Sequence, residues 1–341
     1  MNSRIAKISL AAIAVIGLSA SVVNADTLSD VKKAGFVKCG ANTGLPGFSS
    51  ANAQGVWSGI DVDVCRAVAA AVLGDASKVK YTPLTAKERF TALQSGEIDI
   101  LSRNTTWTNT RDASLGLNFA GVNFYDGQGF MVHKSLGVKS ALDLNGAAVC
   151  VQAGTTTELN LASYFASHGM KYQSVSYDTT AQVRNGYESG RCDVMTSDSS
   201  QLHAIQSTLK NPSGSEVLPQ IISKEPLGPV VRQGDDVWFN IVKWSYNAMV
   251  AAEERGITSK NVDQLKATSK DPAIKRILGV EGALGENLHL NKDWAYNIIK
   301  QVGNYGESYY RNVGMGSPLK IKRGLNAQWK DGGLQYSPPF K

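Results

Sequence analysis

Three polar runs carry side chains suited to holding a small zwitterion. Asn104-Thr105-Thr106-Trp107-Thr108-Asn109-Thr110-Arg111 ends in an arginine, Gly154-Thr155-Thr156-Thr157-Glu158 gathers hydroxyls ahead of an acid, and Gly190-Arg-Cys-Asp-Val-Met-Thr-Ser-Asp198 ends in a carboxylate. A carboxylate bound to a protein is best met by a bidentate guanidinium, hydroxyls and backbone N–H groups. An ammonium needs a carboxylate. Arg111 supplies the first need and Asp198 the second, and the Thr run adds N–H groups at a helix start, where anions are favoured. Each has a plainer reading: Arg111 as a surface arginine beside Asp112, the Thr run as a helix cap with Glu158 in its first turn, Asp198 as the cap of a helix over Ser199–Gln206.

Motifs for other chemistry are missing from the sequence. It has no G-x-S-x-G, H-E-x-x-H, Walker A or G-x-G-x-x-G pattern. S-x-x-K occurs at Ser29–Lys32 and Ser207–Lys210 without the S-D-N and K-T-G partners that would give it meaning. His133, His168, His203 and His289 have no metal-ligand spacing, so no metal or cofactor is expected.

The elements that must position these runs alternate strand and helix. Phe36–Gly40, Val79–Thr82 and Ile98–Ser102 read as strands, with helices over Ile60–Leu73 and Glu88–Leu93 between them; Asp61 or Asp63 is placed to cap the first helix. The order repeats with strands Ala147–Gln152, Tyr172–Tyr177 and Cys192–Thr196 and helices Glu158–Ser167 and Thr180–Tyr187. Such β-α-β-α-β units predict mostly parallel sheets flanked by helices. Ser95-Gly-Glu-Ile-Asp-Ile-Leu-Ser-Arg-Asn104 and Ser189-Gly-Arg-Cys-Asp-Val-Met-Thr-Ser-Asp198 match at the same point of both units. The match pairs Asn104 with Asp198, each past the carboxyl end of a strand, where open α/β sheets bind ligands. At equivalent ends of two lobes, the functional readings outweigh the plain ones. Asn123–Phe130 and Ser223–Pro229, rich in Gly and Pro, are the expected two strands of a hinge. Helices follow over Val237–Glu254, capped by Asp235 or Asp236, over Ala273–Leu278 after Asp271-Pro272, and over Asp293–Val313 with breaks at Gly303 and Gly306.

The chain opens with Arg4 and Lys7, an uncharged run Ile8–Val23 and small residues to Ala25, the layout of a cleaved signal peptide. The run is short and Ala/Ser-rich for a membrane anchor, and no Cys stands at the exit for lipidation. Four cysteines in an exported protein suggest two disulfides. Three pairings are possible, and the spacing favours Cys39 with Cys65 and Cys150 with Cys192. With 43% hydrophobic and 19% charged residues the chain is globular. Without Arg4 and Lys7 its formal charge falls from +6 to +4, all of it in the tail after Gly316. No broad basic face for nucleic acid is present, and the tail is expected to lie solvated and extended over the surface.

The chain resembles the periplasmic substrate-binding proteins of polar amino-acid ABC transporters, nearest the general L-amino-acid-binding type. The resemblance rests on Gly55-Val-Trp-Ser-Gly-Ile-Asp-Val-Asp63, Leu93-Gln-Ser-Gly-Glu-Ile-Asp99, Asn104–Arg111, Val149–Glu158 and Gly190–Asp198. It implies an α/β fold of the two-lobed type II periplasmic binding class. Residues 1–25 form the leader, 26–126 lobe one, 127–231 lobe two, and 232–341 the return to lobe one with a C-terminal helical extension. It further implies that Arg111 takes an α-carboxylate, helped by Thr106 and the Asn104 backbone, that Thr155 and Thr156 contribute from lobe two, and that Asp198 takes the ammonium. Arg89 stands where acidic-amino-acid binders meet a side-chain carboxylate, and Phe48 or Leu45 where relatives stack an aromatic on the ligand. The implied activity is capture of an L-amino acid, of broad or polar and acidic range, by hinge closure, at micromolar affinity or tighter, about −8 kcal/mol. The implied partner is a membrane permease met by a monomeric binding protein in the periplasm, with no catalysis. The alternative is a lyase on the same fold, such as a cyclohexadienyl dehydratase, with Glu158 as the acid or base.

Overall fold

The computed structural model describes residues 26–341, so the expected leader lies outside them. α1 (Thr27–Ala34) precedes β1 (Val37–Asn42); a small ladder of β2 (Ser50–Ala51) and β3 (Trp57–Ser58) leads into α2 (Ile60–Leu73). β4 (Val79–Leu84), α3 (Arg89–Gln94), β5 (Ile100–Leu101), α4 (Asn109–Ser114) and β6 (Leu117–Phe119) follow. β7 (Phe124–Asp126) leaves lobe one. Lobe two holds β8 (Gln128–His133), β9 (Ala148–Gln152), α5 (Thr156–Ser167), β10 (Gln173–Tyr177), α6 (Thr180–Glu188), β11 (Val194–Asp198), α7 (Ser199–Gln206) and β12 (Ser215–Val217). The chain returns through β13 (Glu225–Leu227) to β14 (Val230–Arg232), then α8 (Asp236–Glu254), α9 (Val262–Thr268), α10 (Pro272–Ile277), α11 (Trp294–Gln301) and α12 (Tyr305–Asn312).

The two sheets are wound alike. Their orders are β4-β1-β5-β14-β6 and β10-β9-β11-β8-β12. In each, the second strand has parallel neighbours on both sides, and the fourth strand runs antiparallel. The repeat seen in sequence has a structural reason. Asp99 accepts the Lys38 N–H at 2.9 Å, while its own N–H donates to the Lys38 carbonyl. Asp193 makes the same pair of bonds with Ala148. Gly96 and Gly190 just before them take φ of 79° and 73°, a turn that favours glycine. The motif is therefore a clip that joins the third strand to the start of the first.

Alternation along the strands builds the core of lobe two on both faces. Phe130, Val132, Val149, Val151 and Val194 bury against α5, while Met131, Cys150 and Met195 bury with Val183, Tyr187 and Leu202. In lobe one the Ala/Val-rich α2 packs against α8 and α11. Trp238, Ile241, Val242, Tyr246, Met249 and Val250 of α8 are all buried, as core rather than as a binding surface.

Local expectations are corrected in three places. Neither Asp61 nor Asp63 caps α2: its N-cap is Gly59, at φ 135°, where a Cβ would stand 2.0 Å from the Phe48 carbonyl. Asp63 instead accepts from Ser308, Arg311 and Asn312 of α12, fastening the extension to lobe one. The helix expected over Asp293–Val313 is two helices, because Gly303 takes φ 90° and Asn304 starts a new capping box with Glu307. The tail is docked rather than solvated. Phe340 packs on Trp244 and Trp294, and Arg323 makes two hydrogen bonds to Glu253.

The disulfides are Cys39–Cys65, joining β1 to α2, and Cys150–Cys192, joining β9 to the turn before β11. A cross-link spanning 26 residues restricts the unfolded chain by about 3.5 kcal/mol. Replacing Cys39 and Cys65 together with Ala is expected to lower the unfolding free energy by about 3 kcal/mol in urea titration; a loss under about 1 kcal/mol contradicts that role.

Candidate functional site

The crevice lies between the carboxyl ends of the two sheets. On the lobe-one side Thr108 caps α4, and its hydroxyl accepts the Arg111 N–H at 3.3 Å. That fixes where the Arg111 side chain starts. Its Nη1 donates to the Thr106 carbonyl at 2.9 Å, and the guanidinium lies 5.1 Å from the Phe90 ring centroid. Arg89, at the start of α3, holds its guanidinium 4.8 Å from the same ring. Arg111 is 8% exposed and Arg89 2%, so neither is a surface arginine. A third arginine, Arg103, is 1% exposed; its Nε donates to the Leu84 carbonyl at 2.8 Å.

Asn104 shapes this wall. It is not glycine, yet it takes φ 37°, a conformation Asn tolerates better than most residues. Its N–H donates to Asp61 at 2.7 Å, so the backbone donor expected to face a ligand is already used. Its side chain accepts from Asn42 and donates to Gln201 of lobe two at 3.3 Å. Asp61 also accepts from Asn123, just before the hinge, at 2.7 Å. Burial pushes the Asp61 carboxyl up to about 6 despite these donors.

On the lobe-two side Asp198 ends β11 and is 5% exposed. It sits at the N-cap position of α7 without capping it; Asp126 does that work, accepting from the Ser200 N–H and hydroxyl. The Asp198 carboxylate has no hydrogen-bond partner among the described residues. Burial raises its pKa well above the ordinary carboxylate range, and the negative neighbours Asp126 and Glu225 add to the shift. The Thr run divides its labour. Thr155 caps α5, accepting the Glu158 N–H and donating to the Gln152 carbonyl. Thr156 faces Thr106 across the crevice at 3.3 Å and donates to Glu225. Glu158 is occupied by the Gly154 N–H and the Ser176 hydroxyl.

The hinge is the β7–β13 ladder, pairing Phe124, Tyr125 and Asp126 with Leu227, Pro226 and Glu225. The lobes are closed on each other: Lys87 pairs with Asp178 at 2.7 Å, alongside the Asn104–Gln201 and Thr106–Thr156 contacts. Even so, among the described residues no acid lies within 4.0 Å of Arg89, Arg103 or Arg111, although Arg66, Arg184, Arg255, Arg311 and Arg323 all have acid partners. Arg111 and Asp198 feel each other's charge without touching.

Of the residues expected here, Arg111, Arg89, Asn104, Thr106, Thr156 and Asp198 come together, with Thr155 serving as a cap beside them. Phe48 is corrected: it is 1% exposed in the lobe-one core, edge-on to Phe124 at 5.1 Å. Leu45 is buried in the same cluster. Sequence reasoning missed Arg103, whose counterpart in the repeat is Ser197. It also missed Gln128, whose amide donates to Thr157 and Thr196 beside Asp198.

Two like-wound lobes on a two-stranded hinge, with unpaired opposite charges facing across the crevice, define a protein that captures a small solute by closing on it. The chain belongs to the bacterial extracellular solute-binding proteins, family 3, whose model matches residues 37–261. It is 61% identical over 330 residues, 96% of either chain, to the general L-amino acid-binding periplasmic protein AapJ of Rhizobium johnstonii. It is 52% identical over 329 residues, 96% of this chain and 97% of the relative, to the glutamate/glutamine/aspartate/asparagine-binding protein BztA of Rhodobacter capsulatus. Among solved structures, an ABC transporter periplasmic binding protein from Brucella ovis with glutathione bound superposes with a TM-score of 0.91 at 58% identity, covering 93% of this chain and 100% of that one. The fold is thus the two-lobed type II periplasmic binding fold, and the chain is a solute-binding protein rather than an enzyme.

Asp61 ties the arginine-bearing loop to the hinge through one buried and one part-buried bond. Asp61→Ala leaves the Asn104 N–H and the Asn123 amide unpartnered, an expected cost of about 2–4 kcal/mol in urea unfolding; a cost below about 0.5 kcal/mol contradicts the assignment.

Proposed function

We propose that this protein captures L-amino acids outside the cytoplasm and delivers them to the permease of an ABC transporter. In this reading Arg111 holds the α-carboxylate with Thr106, and Asp198 receives the α-ammonium, with Thr156 closing over the ligand. One observation carries it. Among the described residues a buried arginine and a buried carboxylate of opposite lobes stay unpaired with each other or with any other charged group within 4.0 Å in the closed molecule, so a ligand with a carboxylate and an ammonium on one carbon satisfies the two at once. A ligand lacking either group leaves a buried charge uncompensated, which costs several kcal/mol. The relatives named for amino-acid binding and for ABC transport support the same reading. The dehydratase alternative assigns its acid or base to Glu158, which is occupied by the Gly154 N–H and the Ser176 hydroxyl at the start of α5.

Calorimetric titration with a panel of L-amino acids is expected to give stoichiometric binding heat without turnover. Arg111→Ala is expected to weaken every amino acid by about 100-fold or more; loss confined to one side-chain class contradicts the carboxylate role.

The raised pKa of Asp198 sets a pH dependence. Burial favours its protonated form in the empty crevice, whereas pairing with an ammonium favours the ionised form. Ligand binding then releases a proton, and affinity rises with pH until Asp198 is ionised in the free protein, by up to about tenfold per pH unit. Titrations in buffers of different ionisation enthalpy should show that proton release; uptake, or none in the acidic range, contradicts it.

A further inference from the structure

One buried carboxylate beside the crevice takes no part in holding either charge of the ligand. Glu225, on the hinge strand β13, is 1% exposed. Donors converge on it from the Thr156 hydroxyl at 3.0 Å, the Asn160 amide at 2.7 Å and the Ser223 hydroxyl at 2.6 Å. A carboxylate so surrounded is acceptor-only, and it fixes the direction of every hydroxyl that meets it. A threonine hydroxyl has a single proton, and that of Thr156 is spent on Glu225. At the 3.3 Å contact between Thr106 and Thr156, the Thr106 hydroxyl is therefore the donor. Its own proton is spent in turn, and Thr106 has only lone pairs left to offer. The donors thus run in one direction, from lobe one through lobe two to the hinge strand.

The backbone holds the two ends of this chain in place. Thr106 forms an antiparallel bridge with Leu227, the Trp107 N–H donates to the Pro226 carbonyl at 2.8 Å, and the Gly228 N–H donates to the Thr105 carbonyl at 2.9 Å. The segment carrying Thr106 is in effect a third strand beside β13, so Thr106 and Glu225 belong to one ladder. Thr156, from the start of α5, fills the step between them. Resting on the amino-acid reading above, we propose that Glu225 is a positioning residue that acts through Thr156 to make the Thr106 hydroxyl an obligate acceptor for the ligand's ammonium. Thr106 lies beside the α-carboxylate position, because its carbonyl accepts from Arg111 Nη1 at 2.9 Å. A carboxylate held by Arg111 gains nothing from a hydroxyl without a free proton. The ammonium on the adjoining carbon has three N–H groups to place, and Asp198 together with the Thr106 oxygen receives them. A hydrogen-bond chain that ends on a charged acceptor polarises each hydroxyl along it, which strengthens the Thr106 oxygen as an acceptor. Solutes that present an acceptor at that point meet lone pairs and are disfavoured.

The test is a double-mutant cycle read by calorimetric titration with L-glutamate and L-glutamine. Glu225→Gln keeps the size of the side chain but carries an amide that no longer dictates the direction of the Thr156 hydroxyl. It is expected to weaken both ligands by about tenfold. Thr106→Val removes the hydroxyl at the ligand end of the chain. In that background Glu225→Gln is expected to cost less than about threefold, because the path to the ligand is already cut. An effect of Glu225 on folding, on hinge closure or on the charge of the crevice carries over undiminished into the Thr106→Val background. A cost of about threefold or more there, or no weakening by Glu225→Gln alone, overturns the proposal. Should a variant not fold or bind too weakly to titrate, a crystal structure of the wild-type protein with L-glutamate decides. The Thr106 hydroxyl oxygen is expected within about 3.2 Å of the ligand nitrogen; a hydroxyl oxygen farther from it, or nearer a carboxylate oxygen, overturns the proposal. Wild-type protein that binds neither ligand instead overturns the amino-acid reading itself.

Discussion

Charges of opposite sign, buried on two lobes and kept from meeting, are the constraint from which the molecule's behaviour follows. In a dry crevice a guanidinium and a carboxylate attract far more strongly than in water, so the fold must hold them apart. It does so by occupying everything around them. The Arg111 fork is steadied by the Thr106 carbonyl and the Phe90 ring. Asp126 is satisfied by Ser200, and Glu225 by Thr156, Asn160 and Ser223. Asp198 alone among these acids is left without a donor, while its charge bears on Arg89 and Arg111 and that of Glu225 on Arg111.

The scaffold serves that separation. Each lobe closes its sheet with the same aspartate clip, and each carries one disulfide from the first strand of its repeat, β1 to α2 in lobe one and β9 to the turn before β11 in lobe two. Each lobe is thus cross-tied within itself, and the β7–β13 ladder joins the two. The segment after residue 261, beyond the part matched by the family model, reinforces lobe one against that ladder. Asn326 bonds both the N–H and the carbonyl of Tyr125, and Gln335 and Tyr246 both donate to the Val122 carbonyl. Asp63, buried in α2, anchors the same extension through α12. One strand of the hinge is thus tied to lobe one, while Glu225 on the other is tied to α5 of lobe two.

Much of this was legible in the sequence because local rules and global fold agree. Strand and helix periods, the Asp271-Pro272 start signal and the Ser-Gly-x-x-Asp repeat all survive in the structure, and the repeat marked the two strand ends that carry Asn104 and Asp198. What sequence did not show depends on contacts between distant segments. Asp61 and Asp63 have the composition of helix caps, yet Asn104, Asn123 and α12 claim them. Phe48 stands in a run that suggests a ligand-facing aromatic, but the return of β7 places Phe124 against it and turns it into core. Arg103 gave no signal, since an arginine beside a strand end is ordinarily a surface residue; only its burial sets it apart. The tail looked like a charged, aperiodic segment, and its buried amides, Asn326, Gln328 and Gln335, find partners only on the folded body.

A crystal structure of the protein with L-glutamate tests the central claim most directly. Ligand density should bridge the lobes, its α-carboxylate within about 3 Å of the Arg111 guanidinium and its ammonium within about 3 Å of an Asp198 oxygen. Density elsewhere, or a ligand whose charged groups leave Arg111 and Asp198 both unpaired, would contradict it.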